Sequence, residues 1–405
     1  MKPRRVVISG LGLVSALGDN RESFWSALTA GRSGIAPLTG LDPAGFHFAN
    51  AAQVPDFDPV AFLDVKLVKQ TDRFSQFALV AAHKALADAG IDPASLAQRR
   101  CGVIAGSSIG GQGSQDEGFV TLYREGRPRL HPATIVKVMP NAAASQITIL
   151  FRISGPSYTV SAACSSSNSA IGQAFWHIRS GLIDMALAGG SEAPFSYGYL
   201  KAWDAMRVVS PTTCRPFSLG RDGMILGEGG GMLVLETAEA AQERGAHIYA
   251  EIAGFGMSSD ASHLVQPSPE GAAQAMTAAL RDAGLSPGQV TYINAHGTGT
   301  PANDESETAA IRLAFGNHAD RLAVSATKSM HGHALGAAGA LEAIATALAI
   351  DRRIIPPTAN YQAADPACAM DVVPNTARPA TIEAALSNSF AFGGMNAVLA
   401  FRRWP

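Results

Sequence analysis

Only four of the 405 residues are cysteine (Cys101, Cys164, Cys214 and Cys368) and no Cys-x-x-Cys occurs, which excludes a disulfide framework and a zinc site of the usual spacing. A reducing compartment fits. Charge of one sign is missing too: 31 Lys and Arg against 33 Asp and Glu leave −2, so no overall field points to nucleic acid or an anionic membrane surface. No stretch reaches the ~20 uninterrupted apolar residues that span a bilayer, and the Ala-rich run Leu335–Ile350 carries Glu342. The opening Met-Lys-Pro-Arg-Arg-Val-Val-Ile runs basic residues straight into a strand, and reads as mature protein rather than a signal peptide. A cytoplasmic protein is expected. What is present is apolar bulk: 47% apolar against 16% charged residues supports a large core, divided into two or three domains or built as one duplicated unit.

Two segments nearly copy one another, Ala85-Leu-Ala-Asp-Ala-Gly-Ile-Asp-Pro93 and Ala279-Leu-Arg-Asp-Ala-Gly-Leu-Ser-Pro287. Each predicts a helix closed by glycine, because Gly90 and Gly284 fall where a left-handed residue is needed and a proline follows. Buried-strand patterns come next, at 101–106 and 290–296, and Val160-Ser-Ala-Ala-Cys164 is echoed by Val324-Ser-Ala-Thr-Lys328. Helix, strand and strand-to-helix turn recurring in one order indicate duplication, with about 30 residues inserted in the loop-rich region 107–157 of the first half. Short continuous apolar runs such as Met185-Ala-Leu-Ala-Gly-Gly190 predict a parallel-rich sheet covered on both faces. Near the end, Ile382–Phe390 and Ala397–Phe401 flank a hairpin turn at Gly393-Gly394. The predicted fold is a layered α/β pseudo-dimer with halves 1–250 and 251–405.

In this frame Cys164 should stand at a helix N-terminus, where unpaired N–H groups favour a thiolate and bring a thiol below its usual range. A buried cysteine serving as a small apolar residue would look the same. The second half offers partners. Asn294-Ala-His296-Gly-Thr298-Gly-Thr300-Pro-Ala-Asn-Asp304 sets His296 at a strand end in a tight loop, and Lys328-Ser-Met-His-Gly-His333 sets His333 at the start of an Ala/Gly helix. By the duplication Lys328 is the counterpart of Cys164, so both turns should carry reactive side chains into one cleft. His331 should point elsewhere, to the surface or behind the site. Acyl transfer through a thiol needs a partner for proton movement, donors for developing negative charge and a substrate path, and these residues offer them.

Taken in order, Ser161-Ala-Ala-Cys-Ser-Ser-Ser167, the His296 segment, Lys328-Ser-x-x-Gly-His333-x-x-Gly-Ala-Ala-Gly339 and Asn388-Ser-Phe-x-Phe-Gly-Gly-x-Asn396 resemble the β-ketoacyl-acyl-carrier-protein synthases. These are the elongating condensing enzymes of type II fatty acid or polyketide synthesis, and the likeness runs nearly end to end. The resemblance implies a thiolase-like α/β/α/β/α fold, an obligate homodimer and a decarboxylative Claisen condensation without metal or cofactor, phosphopantetheine being carried by the partner acyl carrier protein. It implies that Cys164 accepts the acyl chain and that the N–H groups of Cys164 and Phe392 form an oxyanion hole. His296 and His333, as neutral imidazoles, would donate to the malonyl thioester carbonyl. Lys328 would organise the site with Glu307 as partner, Glu342 would support the His333 loop, and Asp304 would fix the His296 loop. Thr298, Thr300, Phe390, Gly393 and Gly394 would surround the substrate, with Phe392 swinging on the glycine turn. Ile109 resembles a position that limits acyl depth. Lys66, Lys69, Arg129 and Arg207 are the expected entrance cations for an acidic carrier protein.

Two residues depart from the resemblance: Ala391 stands where glycine is usual, and Met395 where threonine is. A Cβ at 391 restricts the backbone, so an altered acylation rate or chain preference is expected. A thiolase should carry a second cysteine near the C-terminal glycine turn, and there is none. A non-catalytic partner subunit of a heterodimeric ketosynthase would lack the nucleophile, and a cysteine hydrolase has no use for two histidines and a lysine. Fatty acid, polyketide and polyene chains all remain open, as does pairing with a related subunit.

Overall fold

Ten strands join in one sheet in the computed structural model, which describes residues 3–405; Met1 and Lys2 of the basic opening lie outside them. The first half supplies β1 (Val6–Ser15), β2 (Cys101–Gly106), β3 (Ser157–Val160), β4 (Met185–Glu192) and β5 (Gly229–Thr237). The second supplies β6 (Ala250–Ser259), β7 (Tyr292–Asn294), β8 (Ala323–Ser325), β9 (Ala384–Ala391) and β10 (Met395–Arg402). Read outward from the centre, one half runs β1-β5-β4-β2-β3 and the other β6-β10-β9-β7-β8. Their senses match: the inner pairings of each half are antiparallel and the outer ones parallel. β1 and β6 meet antiparallel through Val6–Ile8 and Ala250–Ile252. The sheet is therefore mixed where a parallel-rich one was expected, because a continuous apolar run reports burial on both faces and not strand sense.

Six helices position the site: α1 (Arg73–Asp88), α2 (Ser166–Arg179), α3 (Tyr197–Met206), α4 (Pro269–Ala283), α5 (Pro301–Phe315) and α6 (Ala338–Arg352). α1 covers β1 and β5, α4 covers β6 and β10, and α2 and α6 meet between the halves, which gives the α/β/α/β/α layering. α6 is buried on every side from Ala338 to Ile350, as a middle layer requires. The repeated segments have a packing cause. A Cβ at Gly10 would overlap the backbone of Ala85, and one at Gly254 that of Ala279; Gly12 and Gly256 face Ala81 and Ala275 in the same way. Both helices then end on left-handed glycines, Gly90 at φ +64° and Gly284 at φ +62°.

The link between second and third strands is longer in the first half, 107–156 against 295–322. It exposes Tyr123, Ile135, Val136 and Ile149 and leads into β3, whose outer edge is unpaired among the described residues. No helix of the described residues is long and apolar enough to cross a membrane.

Candidate active site

β3 turns sharply into α2 through Ala163, which holds φ +46° although it carries a Cβ. Cys164 follows and Ser165 caps the helix, so the thiol stands directly before the first turn, as expected. It is only 7% exposed. The expected lowered thiol does not follow: burial pushes it up to about 12, and the nearby Lys328 ammonium, which pulls it down, does not compensate. The closed site therefore holds a neutral thiol.

The mirrored turn after β8 delivers Lys328, buried completely. Its Nζ donates to the backbone carbonyl of His296 at 2.7 Å, pairs with Glu342 and lies 3.2 Å from His296 Nδ1. An ammonium has no acceptor, so Nδ1 of His296 must accept and the ring proton sits on Nε2. His333 reaches the same state differently, its Nδ1 accepting from the Leu335 N–H at 3.2 Å. Burial first, and Lys328 second, hold both imidazoles well below the usual histidine range. Their rings lie 5.4 Å apart at 85°.

Two of the three carboxylates depart from the parts the resemblance implied, and Asp304 keeps its part on the His296 loop. Glu342, reaching from the second turn of α6, is the partner of Lys328, and burial raises it to about 7. Glu307 instead accepts from the backbone N–H groups of His296 (2.9 Å) and Gly297 (2.8 Å) and from Asn388 Nδ2 (3.1 Å), because α5 lies under that loop. Asp304 holds the same loop through Gly299 N–H at 3.2 Å and ties it to Phe217 N–H at 2.8 Å. His331 is fully buried rather than at the surface, with Nε2 3.0 Å from Thr327 Oγ1.

One cavity of about 120 Å³ gathers Cys164, His296, His333, Thr298, Thr300 and Phe392, with Phe390, Ala391 and Gly394 also in its wall. Gly393 lies on the outer side of the turn, its N–H donating to the Leu264 carbonyl at 2.7 Å. Ile109 is not in the wall of this cavity; it lies on the loop after β2, with its N–H toward Glu192. Lys66 and Lys69 line a separate shallow depression with His131. Arg129 is exposed on the long insertion, and Arg207 is exposed next to the cavity-lining Val208. Sequence reasoning missed Glu192. This buried carboxylate at the end of β4 accepts from Ser107 Oγ (2.8 Å), Ser108 N–H (2.7 Å) and Gly336 N–H (3.0 Å), joining the loop after β2 to the turn before α6. A charge closing the apolar run Met185–Ser191 was its only signal.

Two imidazole N–H donors beside a buried thiol in one cavity suit enolate formation next to a thioester, and on this duplicated sheet that combination defines a thiolase-like condensing acyltransferase. The profile of the beta-ketoacyl synthase N-terminal domain matches residues 3–241, and that of the C-terminal domain residues 249–362. The chain belongs to the β-ketoacyl synthase family. It is 46% identical over 403 residues to nodulation protein E of Rhizobium meliloti (strain 1021), covering 99% of each chain. It is 43% identical over 411 residues to 3-oxoacyl-[acyl-carrier-protein] synthase 2 of Coxiella burnetii, covering 100% of this chain and 99% of the other. Among solved structures, the ishigamide ketosynthase/chain length factor superposes with a TM-score of 0.96 at 38% identity over the full length of both chains.

Proposed function

We propose that this protein condenses a Cys164-bound acyl chain with a malonyl thioester, both delivered by an acyl carrier protein, in fatty acid or type II polyketide synthesis. The observation that carries the reading is the shared state of His296 and His333: each Nδ1 is occupied as an acceptor, leaving an Nε2–H for the cavity. In the first step the sulfur of Cys164 attacks the acyl thioester carbonyl, and the phosphopantetheine sulfur leaves with the thiol proton. The N–H groups of Cys164 and Phe392 stabilise the oxyanion. In the second, the malonyl C–C bond to its carboxylate breaks, CO₂ departs, and the electron pair forms an enolate stabilised by the two Nε2–H donors. The enolate carbon attacks the acyl carbonyl, the acyl C–S bond breaks with its electron pair going to the Cys164 sulfur, which takes a proton from water, and the product is a β-ketoacyl thioester. Burial, with Lys328 adding to it, keeps both imidazoles neutral, and Lys328 pulls against the burial that raises the thiol.

Exposed cations without a carboxylate partner among the described residues, Lys66, Lys69, Arg129 and Arg207, support docking of an acidic carrier protein. The unpaired edge of β3 beside an exposed apolar insertion supports a dimer, with itself or a related subunit. Intact-protein mass spectrometry with acyl-carrier-protein thioesters and malonyl carrier protein tests the reading. Adducts on wild type but not on Cys164→Ala, followed by β-ketoacyl product, are expected. No Cys164 adduct with any primer would overturn it and favour a partner-subunit role.

A further inference from the structure

We propose that Ser167 and His331, which the duplication makes counterparts of one another, are positioning residues that clamp the segment 332–336 from both ends and so aim His333 at the malonyl thioester carbonyl. The inference rests on the ketosynthase reading and adds two residues to its second step. Each stands three positions after the side chain its turn delivers, Ser167 after Cys164 and His331 after Lys328. Both are fully buried. Ser167 Oγ donates to the carbonyl of Gly336, and His331 Nδ1 lies 2.8 Å from the carbonyl of Gly332. A carbonyl has no proton to give, so Nδ1 of His331 carries one and donates, while Nε2 accepts from Thr327 Oγ1 at 3.0 Å. His331 is thus held in the tautomer opposite to that of His333, with both ring nitrogens occupied.

The segment they hold cannot hold itself. Gly332 at φ +69° and Leu335 at φ +49° both have positive φ, so the chain leaves regular geometry on either side of His333. Its middle is tied to the segment 225–227: the His333 N–H donates to the Ile225 carbonyl at 2.7 Å, and the His333 carbonyl accepts from the Gly227 N–H at 2.9 Å. His331 fixes the peptide plane before His333, and Ser167 one three residues after it. Rotating either plane would swing the imidazole and break a buried hydrogen bond. Neither side chain lines the cavity, so both act through His333.

Two rates test this: malonyl decarboxylation, read as CO₂ release from malonyl carrier protein, and Cys164 acylation, read by intact mass with acyl-carrier-protein thioesters. Only the first uses His333. A misplacement of about 1 Å costs about 10²-fold, so Ser167→Ala and His331→Leu are each expected to lower kcat for decarboxylation by about tenfold or more. KM for malonyl carrier protein and the acylation rate should stay close to wild type. His331→Asn places an N–H where the Nδ1–H was and should restore decarboxylation. Ser167→Ala removes one hydroxyl from a helix in favour of the best helix former, so the test stands even if His331→Leu does not fold. With an acylating wild type, unchanged decarboxylation in Ser167→Ala, or acylation falling together with decarboxylation, would overturn this inference alone. Equal losses in His331→Asn and His331→Leu would do the same. Failure of every thioester to acylate wild-type Cys164 would instead remove the ketosynthase reading beneath it.

Discussion

His296 and His333 are made neutral donors by different neighbours, a lysine ammonium in one case and a backbone N–H in the other. Each should therefore be separately necessary for decarboxylation. Removing one oxyanion donor typically costs about 10²- to 10³-fold in kcat, so His333→Ala is expected to lose that much malonyl decarboxylation while Cys164 still acylates, measured as CO₂ release and adduct mass. His331 has a different consequence. Burial first and Lys328 second push it down to about 3, against an ordinary value of 6.5. Between those values the unfolded chain binds a proton at His331 that the folded chain does not, so stability falls as pH falls, by about 1.4 kcal/mol per unit for this group. Glu342, raised to about 7, works in the opposite sense, which makes the difference between variant and wild type the useful quantity. His331→Asn should flatten the decline in urea midpoint from about pH 6 to about pH 5; a parallel decline would refute it.

At the scale of elements, Glu192 is the tie between β2, β4 and α6. Glu192→Ala leaves the N–H groups of Ser108 and Gly336 and the Ser107 hydroxyl without an acceptor, and each buried donor left unpaired costs about 1–3 kcal/mol. Because Gly336 adjoins Leu335, which fixes His333, the loss should appear in decarboxylation more than in acylation, and Glu192→Gln should be intermediate in both. The hairpin of β9 and β10 bears on Ala391. It pairs with Met395 at the end of the ladder and lies outside the left-handed region, so its Cβ is unstrained in the closed site. The expected effect of Ala391→Gly is accordingly on opening, read as a change in acylation rate.

For the whole molecule the open edge is β3. Val103 and Ser107 donate to the carbonyls of Pro156 and Val160, so alternate residues face β2 and the N–H of Thr159 faces outward. Thr159→Pro removes that donor without touching the pairing to β2 and should raise the monomer fraction in sedimentation; an unchanged dimer would place the interface elsewhere. Charge at this scale is nearly balanced, so carrier docking should depend on local cations. Lys66→Glu with Lys69→Glu is expected to raise KM for carrier-bound substrate at low salt.

Local order was readable wherever neighbours in sequence decide it. The duplication showed in Ala85–Pro93 and Ala279–Pro287, and the structure repeats the same contact in both halves, the helix backbone at Ala85 and Ala279 lying where a Cβ on Gly10 or Gly254 would stand. The turn at Gly393-Gly394 and the positions of Cys164 just before α2, His296 just after β7 and His333 shortly before α6 were legible for the same reason, each being set by a short stretch of backbone. Residues far apart in the chain had to be brought together before the rest was decided. Glu342 rather than Glu307 meets Lys328 because α6 passes behind the β8 turn, and Glu192 acquires its role only where two halves touch. The thiol's protonation was decided in the same way, since a helix N-terminus is a local property whereas removal from water is the work of every layer packed around it.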